Sequence, residues 1–230
     1  MSEEAPARIV ADQALARADV AALAREPGPV HLAGVGLEET DLSGLVMAGW
    51  TFERCQLRHT RLVDARLEGS RWIACRAGFA DFSGADLAES EFRSGDFNNA
   101  SFRRCALAGA SFVGGKLTGA DFSDVRALGA AFEEVLLVAA KLPGFSFRKA
   151  HLKKLDFSQA DLRRADFRDA ILEDTSLRGA NLVDARFQGA DLRGADLGGL
   201  RLVDAAPFRG ATISGKQAGQ LLAELGLVVR

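Results

Sequence analysis

Tyrosine is absent from the 230 residues, which hold only three histidines, three cysteines, two methionines and five prolines. The cysteines, Cys55, Cys75 and Cys105, are odd in number and form no C-x-x-C pair, which argues against a disulfide framework or a zinc knuckle. No apolar stretch is long enough to span a bilayer. The opening "MSEEAPARIV" lacks the basic segment and apolar run of a secretory signal, so the expected location is the cytoplasm. An excess of one charge is missing too: 29 Lys and Arg against 31 Asp and Glu leave a net charge of −2, with no global attraction to nucleic acid or an anionic membrane. What remains is a 48% hydrophobic chain, long enough to bury a core without metals or disulfides.

What is present is a period of five. From Leu32 to Leu202, every fifth residue is Leu or Phe except Met47, Trp72, Ala77 and Ala127, with no insertion or deletion. A second column two residues earlier is mostly alanine, and all three cysteines fall in it, so they are expected to be small buried side chains. Two apolar positions flanking one polar position form a short extended segment with both apolar side chains on one face. The other two residues must turn the chain, and glycine is concentrated there, as at Gly44, Gly84, Gly109, Gly119, Gly179 and Gly189. A chain that turns the same way every five residues coils into a solenoid. Each central side chain stabilises it by up to about 1.5–3 kcal/mol.

Units such as "FSGADLAESEF", "ADLRRADFRDA" and "ANLVDARFQGADLRGADL" resemble the pentapeptide repeat family over residues 30–205. The resemblance implies an all-β fold, a right-handed quadrilateral β-helix with four repeats per coil. Short helical caps are expected at its ends: residues 1–29, Ala-rich and stopped by Pro27, Gly28 and Pro29, and residues 211–230. The solenoid domain between them is residues 30–210. Ser214 and Gln217 have capping-box spacing, and Leu221, Leu222 and Leu225 form an apolar stripe expected to hold a homodimer together.

Catalysis requires a base, a nucleophile or a metal cluster in a pocket. His31, His59 and His151 all fall at outward-facing positions away from the cysteines, and a packed rod offers no cavity. The chain therefore reads as non-enzymatic, without cofactor or metal, and its outward residues carry the function. One outward column runs Arg61, Arg66, Arg71, Arg76 and then Asp81, Asp86, Glu91, Asp96, each Arg stacked over an acid one coil later. This is either a belt of cross-coil ion pairs or a binding belt. Around residues 125–155 the small column carries Val125, Val135, Phe145 and Leu155, while Leu136 and Val138 take water-facing positions. Either the coil swells there, or Leu136, Val138 and Phe145 form an apolar interface.

Within the family, "FERCQLRHTRL", "FRRCALAGASF" and the C-terminal "ISGKQAGQLLAELGL" resemble the subgroup that acts on DNA gyrase. That resemblance implies a protein partner, DNA gyrase or topoisomerase IV, occupied by a rod that mimics DNA; Asp81, Asp86, Glu91 and Asp96, the only complete acidic turn of the rod, are then the expected contact residues. No direct binding of nucleic acid or membrane is expected. The alternative is a scaffold or adaptor presenting a flat face to another protein, in signalling or in assembly of a secretion system.

Overall fold

The computed structural model describes residues 8–198, 205–223 and 226–228. Within them the chain winds as a parallel β-solenoid, as the five-residue period predicts, with the four sides that the family resemblance implies. Ten strands stack in chain order on one side: β1 (Arg8–Ala11), β2 (Val30–Ala33), β3 (Thr51–Glu53), β4 (Arg71–Ile73), β5 (Glu91–Arg93), β6 (Ser111–Val113), β7 (Ala131–Glu133), β8 (His151–Lys153), β9 (Ile171–Ser176) and β10 (Asp191–Asp196). The other sides pair through single bridges at the same spacing of twenty, such as Arg61 with Asp81 and Arg66 with Asp86.

Each repeat uses its backbone in one way. Leu62 N–H donates to Asp81 O of the next coil at 2.7 Å, and Asp64 N–H to Ser83 O at 3.0 Å. Arg61 N–H reaches the preceding coil at Thr40 O, 3.0 Å away, and Ala65 N–H closes the corner on Leu62 O at 3.1 Å. The third residue of that four-residue corner has a positive φ, +53° at Asp64 and +75° at Gly84, as a type II turn requires. Glycine enters this conformation without cost, so its concentration at the corners follows from the geometry.

The central and small columns fill the interior, with Leu62, Ala65 and Leu67 all fully buried. Aromatic rings stack coil upon coil. Phe52, Trp72, Phe92, Phe112 and Phe132 form one ladder, with centroids 4.0, 5.8, 4.5 and 4.8 Å apart. Phe82, Phe102 and Phe122 form a second on the opposite wall, and Phe147, Phe167 and Phe187 a third. The cysteines are buried, and their thiols donate to backbone carbonyls, Cys105 Sγ to Phe82 O at 2.9 Å. Thr60 and Ser90 occupy the same column and donate in the same way, to Leu37 O and Leu67 O. Burial pushes the Cys105 thiol up to about 12, so it is inert at neutral pH.

The ladder is interrupted between the coils that carry β7 and β8. The bonds that would follow the pattern, Ala127 N–H to Ser146 O, Gly129 N–H to Arg148 O and His151 N–H to Ala130 O, do not form, and β7 pairs with β8 only through Glu133 and Lys153. Central position 127 is Ala, and Phe145 stands where the repeat places a small residue. The Phe145 ring lies 4.6 Å from Phe147 and 5.7 Å from Phe132. The two coils part into a cleft of about 580 Å³ lined by Ala127, Phe132, Phe145, Phe147, His151 and their neighbours. The expectation of a rod without a cavity is corrected here: a large ring in a small position spreads the coils. Phe145 is itself 3% exposed and faces inward, so it is core and not part of an apolar interface.

The N-terminal segment also departs from expectation. It is not wholly helical: β1 pairs in parallel with β2, Ile9 opposite His31, before helix α1 (Arg17–Arg25) begins. The offset is 22 residues instead of 20, because α1 is inserted as a bulge in an added coil. Val20 anchors it, fully buried. At the other end, Phe208 stacks on Phe187 at 4.5 Å and extends the third ladder beyond the repeat. Helix α2 (Gly215–Ala223) starts with the expected capping box: Ser214 N–H donates to Gln217 Oε1 at 2.7 Å, and Gln217 N–H donates to Ser214 Oγ at 3.2 Å. Gln217 Nε2 also donates to Leu192 O and Ala195 O, both at 2.7 Å, covering carbonyls at the end of the ladder.

The account of the cleft is testable by a double-mutant cycle. Phe145→Ala alone should cost about 3 kcal/mol or more by leaving a void, and Ala127→Leu alone about 1–3 kcal/mol by overpacking against Phe145. Together they restore the repeat and should recover at least about 1 kcal/mol relative to the sum. Urea unfolding measures all three, and strict additivity would show that the two side chains do not share the space.

Candidate protein-binding surfaces

The solenoid distributes the four expected contact acids around one coil, one on each side. Asp81, Asp86, Glu91 and Asp96 are therefore a ring and not a patch, and a partner lying against one side meets one of them. Three are also engaged at home: Asp81 Oδ1 accepts from Ser83 N–H at 3.0 Å, Asp86 Oδ1 from Ala88 N–H at 3.1 Å and Asp96 Oδ1 from Asn98 N–H at 3.2 Å. The same contact recurs at Asp41, Asp121, Asp156, Asp161, Asp166 and Asp191. An aspartate before the central residue thus holds the straight segment of its own repeat. The signal was in the sequence, in the frequency of Asp at that one position.

Of the four cross-coil ion pairs expected from the arginine column, only Arg71 with Glu91 forms, at 3.8 Å. Arg61 instead meets Asp41 of the preceding coil at 4.0 Å and Arg66 meets Glu68 at 3.2 Å, while Arg76 makes no ion pair among the described residues. Asp81, Asp86 and Asp96 do not meet the arginines of the preceding coil, whereas Asp41 and Asp166, held by the same backbone contact, meet Arg61 and Arg186 of the following one. Closer pairs lie farther along the rod. Asp166, 7% exposed, receives Arg168 at 2.7 Å and Arg186 at 3.0 Å, and Asp191 meets Arg193 within 2.6 Å. The Arg193 guanidinium holds the Asp191 carboxyl down at about 2, and Arg168 lowers Asp166. His151 lies at the rim of the cleft with Nε2 2.9 Å from Glu173.

Leu136 is 41% exposed and Val138 half-buried, on one side of the rod to either side of buried Leu137. In α2, Leu221 is half-buried and Leu222 exposed; Leu225 lies outside the described residues. Leu227 and Val228 just beyond are exposed and extend the apolar end of the rod. Sequence reasoning missed Phe79. It stands at a corner position with φ of +61°, 49% exposed, its ring stacked on that of His59 at 5.1 Å. The register carried the signal, since a Phe two places after the central column must face outward.

A family model for pentapeptide repeats matches in eight copies, over residues 73–104, 80–124, 100–138, 130–169 and 160–199. No curated protein matches the chain. Among solved structures, it is similar to HetL, a pentapeptide repeat protein involved in heterocyst differentiation regulation from the cyanobacterium Nostoc sp. strain PCC 7120. The identity is 23%, over 81% of this chain and 86% of that one, with a TM-score of 0.67. It is also similar to QnrB1, a plasmid-mediated fluoroquinolone resistance protein. A trypsin-treated form aligns at 24% identity over 87% of this chain and 97% of that one, TM-score 0.67. The full-length form aligns at 20% over 96% and 98%, TM-score 0.63.

The engaged carboxylates determine how the rod responds to acid. A carboxylate whose folded value lies below its unfolded one binds protons more weakly in the folded state. It stabilises the fold above about pH 4 and ceases to as the pH falls through its folded value. With Asp41, Asp161, Asp166 and Asp191 all lowered, the unfolding temperature should stay level from about pH 7 to 5 and fall from about pH 4 towards 2. Circular dichroism melts check this, and a profile level down to pH 2 would contradict it.

Proposed function

We propose that this chain, which belongs to the pentapeptide repeat family, is a non-enzymatic rod that binds a type II DNA topoisomerase, DNA gyrase or topoisomerase IV, and modulates it. The observation that carries the reading is the likeness to full-length QnrB1 across nearly the whole of both chains. The solenoid supports it physically. At about 4.8 Å per coil the rod is roughly 40 Å long, and from β2 to β10 no loop interrupts its register. Duplex DNA carries one charge per about 1.7 Å, far more than a net −2 supplies. The mimicry is therefore one of shape, with the acidic ring of Asp81, Asp86, Glu91 and Asp96 as its charged part.

The second reading, a scaffold for another protein, is favoured by the comparable likeness to HetL and by the interleaving of Arg with Asp and Glu along the sides. A supercoiling and DNA-cleavage assay, run with and without a quinolone while the protein is titrated, separates the two. Fewer poison-trapped breaks or inhibited supercoiling at micromolar protein is the expected result. No effect on either enzyme leaves the scaffold reading. Changing the four acids to D81N, D86N, E91Q and D96N should abolish the effect without unfolding, because Asn retains the oxygen that accepts from the backbone.

We also infer a homodimer joined end to end through the C-terminal cap, where Leu222 of α2 and Leu227 and Val228 beyond it are exposed. Light scattering at micromolar concentration should give twice the chain mass, and Leu222→Glu should halve it. A monomer for the unaltered protein would reject the interface.

A further inference from the structure

Phe79 is out of place by every rule that shapes the rest of the rod. Its corner column reads Glu39, His59, Phe79, Asn99 and Gly119, all at positive φ between 57° and 70°. Bulky side chains rarely enter that conformation, whereas Asn and Gly enter it readily. Among the described non-glycine residues at positive φ, Phe79 is the only large apolar one; the others are polar, charged or alanine. Every other Phe and both Trp residues are buried, except Phe208, which is half-buried in the C-terminal cap. Phe79 covers none of the buried core column, and the ring it rests on is that of His59, itself exposed, at 5.1 Å and 18° between planes.

The surroundings share this character. Arg58, Arg61 and Arg76 are exposed on the two sides that meet at this corner. Arg58 and Arg76 make no ion pair among the described residues, and the one partner of Arg61 is Asp41, at 4.0 Å. Asp81, two residues beyond Phe79, is taken by Ser83 N–H. A rigid aromatic ring backed by a second ring and flanked by uncommitted guanidinium groups has the composition of an interface hot spot. The backbone around it is held in register, His59 N–H on Gly78 O at 3.2 Å and Phe79 N–H on Asn98 O at 2.9 Å, so the ring is presented with little entropy left to lose.

We propose that Phe79, stacked on His59 and flanked by Arg58, Arg61 and Arg76, is the anchor by which the rod docks into an apolar pocket of its protein partner, a pocket bordered by carboxylates. This rests on the topoisomerase reading and locates its tightest contact at a corner of the rod, adjacent to Asp81 of the acidic ring.

The test uses Phe79→Asn, which installs the residue that the next coil carries at the same corner. If the ring serves a partner, the variant unfolds at the same temperature as the parent or higher, while the concentration needed to protect or inhibit gyrase rises about 30-fold, as for truncation of a hot spot. Phe79→Trp should return activity to within about threefold of the parent, and Arg58→Gln with Arg76→Gln should weaken it about tenfold. If the parent acts on gyrase and Phe79→Asn acts at the same concentration, the anchor is rejected and the topoisomerase reading stands. A fall of several degrees in unfolding temperature for Phe79→Asn would assign the ring a structural role and reject the anchor as well. If the parent affects neither gyrase nor topoisomerase IV, both proposals fall together.

Discussion

Everything in this protein depends on the hydrogen bond from the backbone of one coil to the backbone of the next. A central N–H meets a carbonyl nineteen residues on, and the residue before it reaches twenty-one residues back, so each coil is held by its neighbours and by little else. A register of that kind admits extra residues only where they loop out of the coil, as α1 does between β1 and β2, because one kept in the ladder would turn every later side chain to the wrong side. It also brings equivalent side chains about 4.8 Å apart. That distance is why phenylalanines stack into ladders, why Ser70 and Ser90 Oγ meet at 3.1 Å, and why Cys, Ser and Thr can exchange in the small column by donating to the same kind of carbonyl.

The same constraint explains where the rod departs from regularity. Volume in the interior is shared between adjacent coils, so one large residue in a small position cannot be absorbed locally. Phe145 takes space beside Phe132 and Phe147 while Ala127 leaves it empty, and the backbone yields before the rings do. Cross-coil bonds are lost over one side and corner, and the cleft opens there. The ends show the opposite response. Unpaired strand edges invite stacking with other chains, and Gln217 covers Leu192 O and Ala195 O while its backbone completes a helix cap.

Much of the fold was legible because a period of five with central and small residues both pointing inward makes the chain coil, and the likeness to pentapeptide repeats supplied four repeats per coil. Leu32 to Leu197, the alanine column, the buried cysteines and the pairing of Arg61 with Asp81 or Arg66 with Asp86 all follow from counting. The candidate surfaces were less legible. Counting placed Asp81 beneath Arg61 but could not say that the carboxylate would fold onto Ser83 N–H while Arg61 turned to Asp41 of the preceding coil. Nor could it tell an apolar surface from a displaced core at Phe145, since both begin with a large residue where a small one belongs.

Sequence alone determined that the chain coils and which residues are interior, because those depend only on spacing along the chain; the four sides came from the likeness to pentapeptide repeats. Tertiary structure decided what the spacing leaves open. It tied the aspartates to their own backbones, turned β1 into an added coil before α1, parted the coils beside Phe145 and left Phe79 in solvent on His59. Each of these outcomes is a competition between partners within a few ångströms of one another in space and about twenty residues apart in the chain. Such competitions are decided by side-chain length and volume, which no periodicity records.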